Sequence, residues 1–110
     1  MQNDKQYVRD KEGYIVHPED WDISLARKLA EEENLELSEN HWSVLCFMRD
    51  YWQEHKVAPD VRHVTKHLAT AQGVDKKEAK HRLFSMFPYG YVKQACKIAG
   101  MQRPRAWSTG

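Results

Sequence analysis

Residues 83–110 read LFSMFPYGYVKQACKIAGMQRPRAWSTG, and the middle of this stretch decides the fold. Tyr91 to Ala99 is short, apolar and compatible with a helix. Gly100 closes it, because glycine takes the left-handed conformation of a helix end without a Cβ clash. Beyond Gly100 no apolar period remains, so residues 101–110 are expected to form a flexible C-terminal arm that carries Arg103, Pro104, Arg105 and Trp107. Cys96 lies in the closing helix, at the root of that arm. Just upstream, Pro88-Tyr89-Gly90 is a turn by residue type.

Four further helices are expected before that turn. The fourth covers about Lys76 to Phe87, with Ala79, Leu83, Met86 and Phe87 inward. The third starts at Pro59-Asp60, a proline favoured where a helix begins and a possible cap, and turns Val61, Val64 and Leu68 inward. The second runs from about Glu39 to Lys56 behind an N-cap at Ser38, with Glu39 favourable at the positive helix end. Its stripe of Trp42, Leu45, Met48 and Trp52, widened by Val44, Phe47 and Tyr51, makes it the most apolar helix and the expected centre of the core. Cys46 in this helix reads as an inert, partly buried thiol. The first helix spans about Asp20 to Glu33, with Asp22, Leu25, Ala26, Leu29 and Ala30 on one stripe and Asn34 as its stop.

At the N-terminus, Tyr7-Val8 and Tyr14-Ile15-Val16 flank Asp10-Lys11-Glu12-Gly13, which predicts a small β-hairpin. The expected architecture is mainly α: a small helical bundle with an N-terminal β-hairpin, a helix-turn-helix-like pair and the arm. It forms one domain, divided into a hairpin region at 1–17, the bundle at 18–100 and the arm at 101–110. A chain of 110 residues, 41% of them hydrophobic, supports one core and no second.

Two cysteines 50 positions apart make neither a zinc pattern nor a disulfide framework, and no signal peptide or membrane span is read, so a cytoplasmic protein with no membrane association is expected. The net charge of +1 conceals a strong polarity. Residues 1–56 hold 7 Lys+Arg against 13 Asp+Glu and residues 57–110 hold 10 against 3, giving halves of −6 and +7. Such asymmetry points the C-terminal half toward an acidic partner, or the two halves toward each other.

Cys96 is the one candidate for covalent chemistry, as a sulfur acceptor. A thiolate is the attacking species, and nearby cations favour it; Lys93 and Lys97 flank Cys96, with only Lys93 expected on its face. The alternative is a thiol tucked against the core beside Ala95 and Ala99. Trp107 admits two readings, an aromatic anchor for a partner or a ring folded back onto its own domain. His63 and His67 stand four apart, a spacing that suits a shared metal, but no third ligand is near in sequence; surface histidines are the better reading, and neither metal nor cofactor is expected. Residues 64–83 have the outline of a helix-turn-helix, with Lys76, Lys77, Lys80 and Arg82 available outward, which keeps DNA open as a partner. No phosphate-binding loop, Ser/His/Asp arrangement or carboxylate pair points to a self-sufficient enzyme.

ACKIAG at 95–100, followed by a basic arm with a proline, resembles the end of the DsrC/TusE family, which comprises the gamma-type partner of dissimilatory sulfite reductase and a sulfur-relay protein of tRNA thiolation. The resemblance covers almost the whole chain, through DKEGYIVHPEDW at 10–21, LSENHWSVLCFMRDYW at 37–52, VAPDVRHVTK at 57–66 and LFSMFPYG at 83–90. It implies a sulfur-metabolism protein whose arm inserts into a larger partner, a carrier or binding protein rather than an enzyme. In the family's relay members the next-to-last residue is a persulfide-carrying cysteine, and ungapped alignment of ACKIAG puts Trp107 there. Cys96 corresponds to the second arm cysteine of the sulfite-reductase partners, which TusE-type members lack. Gln102 stands where the family usually has proline, and Tyr91-Val92 replaces a Pro-Ala pair. The expected role is docking or regulation, with Lys93, Lys97, Arg103, Arg105 and Trp107 at the partner surface. The alternatives are a carrier using Cys96 and a DNA-binding regulator.

Overall fold

The chain is mainly helical, and each α-helix begins where a short polar side chain satisfies a free amide. The computed structural model describes residues 8–102. Four α-helices, α1 (Ile23–Glu32), α2 (Glu39–His55), α3 (Val61–Gln72) and α4 (Lys76–Met86), follow a 3-10 turn at Pro18–Asp20 and precede a π-helical segment at Tyr91–Cys96. Asp22 accepts from the Leu25 amide at 2.8 Å, Asp60 from Arg62 at 2.8 Å and Asp75 from Glu78 at 2.8 Å. Ser38 accepts from the His41 amide, and the His41 ring returns the favour by accepting from the Ser38 amide at 3.1 Å, so a histidine completes the capping box. Each such cap contributes about 1 kcal/mol. The first helix therefore starts at Ile23 rather than Asp20: Asp22 is its cap, and Pro18 directs residues 18–20 into a separate turn.

The expected N-terminal hairpin is not formed as strands. Among the described residues there is no β-strand, only one antiparallel bridge between Arg9 and Ile15. The chain does fold back, with the Val16 amide donating to the Val8 carbonyl at 2.8 Å and Asp10 to Tyr14 at 2.8 Å. The Asp10 carboxylate captures the Glu12 and Tyr14 amides, competing with any ladder. A lone two-stranded ribbon is marginal in any case; here Tyr14 and Ile15 are instead buried in the helical core.

That core takes Leu25, Ala26, Leu29 and Ala30 from α1, Val44, Leu45 and Met48 from α2, Val64 and Leu68 from α3, and Ala79 and Leu83 from α4. Phe87, one residue beyond α4, leaves the helical path (φ −126°, ψ 77°) and is fully buried. Burying each large apolar side chain contributes roughly 1.5–3 kcal/mol. Trp42, Phe47 and Trp52 are half-buried at its margin. Cys46 differs from expectation. It follows the inward Leu45 by one position, which turns it off the stripe, and its thiol is exposed.

Candidate functional site

The last helical segment crosses the core as a plug: of Tyr91–Cys96 only Lys93 is exposed. Cys96 is fully buried. Burial pushes its thiol up to about 12, offset in part by a hydrogen bond with the Tyr91 hydroxyl, and no cation contributes. In the neutral pair the Tyr91 hydroxyl donates to the Pro59 carbonyl. Burial raises the Tyr91 pKa as well.

Neither lysine activates the thiol. Lys93, expected on the face of Cys96, is exposed while Cys96 is buried; a π-helix closes i to i+5, so residues three apart no longer stack. Lys97 lies over the Tyr14 ring at 5.3 Å and pairs with Glu33 at 3.7 Å. The cleft beside them, about 440 Å³, is lined by Glu12, Tyr14, Glu33 and Tyr89 as well, so its two lysines are matched by two carboxylates.

The segment ends in a closed hydrogen-bond account. The Met101 amide donates to the Cys96 carbonyl at 3.0 Å and the Gly100 amide to Lys97 at 3.1 Å, the two bonds of a Schellman motif with Gly100 at φ +75°. Two carbonyls remain, and side chains from other elements take both. The Trp21 indole donates to Ile98 at 2.8 Å, and Arg49 Nη1 donates to Ala99 at 3.0 Å. Arg49 Nη2 reaches the Pro18 carbonyl at 2.9 Å. Its guanidinium lies over the Trp21 ring at 4.7 Å and the Trp52 ring at 5.0 Å. Burial alone lowers the Arg49 pKa, since no carboxylate among the described residues faces it.

Met101, expected to open the arm, is 1% exposed and belongs to the core. Gln102 donates to the Val16 carbonyl at 2.8 Å, a bond that proline could not make. The arm thus leaves from a fastened root after Gln102; Arg103, Arg105 and Trp107 lie outside the described residues. Arg49 and Trp21 are not singled out by sequence reasoning, and Trp52 enters it only as part of the α2 stripe and Gln102 only as a departure from the family's proline. One signal was present: Arg49 interrupts the α2 stripe between Leu45 and Trp52, four before and three after it, where a cation must find a buried partner.

α3 and α4 pack together across Gly73, as the helix-turn-helix outline requires. Lys76, Lys77 and Lys80 are exposed, but Arg82 is held by Glu78 at 2.9 Å and Gln72 at 2.7 Å. His63 is exposed; His67 is half-buried, stacked on Phe47 at 4.5 Å with Ser43 Oγ at 3.1 Å. No group of three or more metal-ligating side chains occurs among the described residues. No helix there is long and apolar enough to cross a membrane.

A family model described as "DsrC like protein" matches residues 1–106. The sulfurtransferase TusE homolog of Haemophilus influenzae is 40% identical over 95 residues, 86% of each chain. Sulfurtransferase TusE of Sodalis glossinidius is 39% identical over 102 residues, 93% of this chain and 94% of its own. Among solved structures, the oxidized gamma-subunit of dissimilatory sulfite reductase from Archaeoglobus fulgidus superposes with a TM-score of 0.82 at 31% identity, covering 94% of both chains. DsrC of Allochromatium vinosum gives 0.81 at 39% identity, covering 98% of this chain and 96% of its own.

Proposed function

We propose a function on one premise: this chain belongs to the DsrC/TusE family, and it serves a sulfur-relay or sulfite-reductase system as a docking or regulatory protein that carries no persulfide on its arm. The observation that carries the reading is the placement of thiols. The chain has two cysteines, and position 107, where the family resemblance expects the relay cysteine, is Trp107. Cys96 is fully buried with its thiol pushed up to about 12, so the protonated form dominates at pH 7. Sulfur transfer begins with thiolate attack on a sulfane sulfur and needs access to both atoms. A buried, protonated Cys96 meets neither requirement. Cys46 is exposed but sits on α2, remote in sequence from the arm.

Docking remains the function of the arm. Arg103 and Arg105 provide two permanent cations around Pro104, which limits the entropy lost on binding, and Trp107 provides a large apolar anchor. The partner is a larger sulfur-metabolism protein, of the sulfite-reductase or sulfurtransferase class, and the protein itself turns over no substrate. Lys93 adds an exposed cation close to the arm root.

Intact-mass measurement after incubation with a cysteine desulfurase, its sulfurtransferase and cysteine tests the reading. A gain of roughly 32 Da that vanishes in Cys96→Ala and survives in Cys46→Ala would establish Cys96 as a carrier and overturn it. The expected result is no loading at Cys96 in the folded protein. Removing residues 103–110 should leave the melting temperature nearly unchanged and abolish capture of dissimilatory sulfite reductase subunits, while Trp107→Ala speeds dissociation.

A further inference from the structure

We propose that Arg49 is a positioning residue for the C-terminal arm: its guanidinium, which lies over two indoles, ties the end of the last helix to the 18–20 turn and so fixes the direction in which the chain leaves the domain. The inference rests on the docking reading for its purpose, though its geometry is independent of any partner. Arg49 spends one nitrogen on the Ala99 carbonyl and another on the Pro18 carbonyl, joining two segments 81 positions apart. The guanidinium also lies over the Trp21 and Trp52 rings, at 4.7 and 5.0 Å, and these cation–π contacts favour this placement of the planar fork. Trp21 holds the neighbouring Ile98 carbonyl itself, and its ring occupies the space over Gly100, where an added Cβ would lie 2.3 Å from Trp21 Cδ1.

Three features separate this arrangement from ordinary helix capping. The Schellman bonds already close the helix, so its stop does not require Arg49. An uncharged donor, or water, can satisfy a terminal carbonyl at lower desolvation cost than a half-buried cation with no facing carboxylate. The contacts also converge on the residues that immediately precede the arm: Ile98, Ala99, Gly100 and, through Val16, Gln102. A rigid root makes an arm more effective, because a segment that leaves in one direction has less orientational freedom to lose when it docks.

The test uses the full chain with nitroxides on the exposed Cys46 and on Arg103→Cys, one residue beyond the fastened root; buried Cys96 is expected to escape labelling, which intact mass checks. Pulsed dipolar spectroscopy should give a narrow distance distribution in the wild-type background. In Arg49→Met, which fills the space between the rings but donates no hydrogen bond, the mean should move or the width grow by roughly 5 Å, about one helical turn of slack. If Arg49→Met does not fold, Arg49→Lys serves, since its single nitrogen cannot span both carbonyls while stacked. Val64→Ala, a core change in α3, should lower the melting temperature and leave the distance alone. An unchanged distance in the Arg49 variant, or an equal change in Val64→Ala, overturns the proposal. Failure of the docking reading would show differently, as an intact distance effect with no binding to sulfite reductase subunits.

Discussion

Two helical ends in this protein obey the same local rule and have different environments. α3 stops at Gly73, with φ +64° and the Val74 amide donating to the Ala69 carbonyl at 3.0 Å. The last helical segment stops at Gly100, with φ +75° and the Met101 amide donating to Cys96 at 3.0 Å. By backbone the two share the left-handed glycine and the bond just after it, and differ only in the glycine's own amide, which donates to Ala69 at Gly73 and to Lys97 at Gly100. Around Gly73 nothing lies within 4 Å of an added Cβ, whereas at Gly100 three atoms of Trp21 lie within 2.8 Å of one. The first glycine punctuates the chain; the second also admits a tryptophan that locks the arm root. A shared local code thus says where a helix ends, and only the packing says whether that end is also a socket.

The largest expected effect breaks the symmetry directly. Gly100→Ala must bear the left-handed backbone, about 1–2 kcal/mol for a residue with a Cβ, and must displace the Trp21 ring, with overpacking typically adding 1–3 kcal/mol. Urea unfolding should show a loss of about 3–4 kcal/mol on those grounds. A loss no greater than that of a surface substitution would mean that Trp21 swings away freely and the socket is soft.

The next effect sharpens the account of the buried thiol beneath that socket. The folded protein holds the Cys96 proton up to about pH 12, against an ordinary value of 9.0. Above pH 9 the unfolded chain loses this proton and the native state keeps it, so stability is fully present below about pH 9 and declines as pH rises toward 12, by about 1.4 kcal/mol per pH unit. Tyr91, also raised by burial, acts in the same direction at still higher pH. Urea midpoints should therefore fall between pH 8 and pH 10, and Cys96→Ala should flatten most of that slope. A slope that Cys96→Ala leaves intact would assign the pH dependence to other groups and leave the thiol more accessible than its burial indicates.

These two regions also mark how far the sequence alone could be read. Ser38, Asp60 and Gly73 each act within a few residues of themselves, so the helices they bound and the α3–α4 turn were legible, as was the apolar face of α2 around Leu45 and Met48. The arm root was legible only as a stop at Gly100. Its fastening depends on Trp21 meeting Ile98 and on Arg49 meeting Ala99, pairs 77 and 50 positions apart that no local period encodes. For the thiols the reading was split: the tucked Cys96, one of the two readings, fits its burial, whereas Cys46, expected to be partly buried, is exposed. Cys46 and Cys96 both lie in apolar helical stretches, and their opposite exposures follow from helix phase and from the π-helical widening at Tyr91–Cys96, which shifts the faces of that segment. The family pattern reached further than periodicity, because it marked Trp107 and Cys96 as positions of interest before any geometry was known. It did not distinguish a buried thiol from a reactive one.

The smallest effect belongs to the other glycine. Gly73→Ala retains the left-handed backbone cost but has open space for its methyl group, since nothing lies within 4 Å of the added carbon. Part of that cost is returned, because alanine restricts the unfolded chain more than glycine does. The net destabilisation should be about 1 kcal/mol, well below that of Gly100→Ala. Gly73→Asn should cost less still, as asparagine visits the left-handed region more readily than alanine. Measured in the same urea series, Gly73→Ala and Gly100→Ala share their backbone term, so their difference isolates what the Trp21 contact adds. Equal losses at the two positions would show that conformation alone governs both ends, and the distinction between a plain stop and a packed socket would fail.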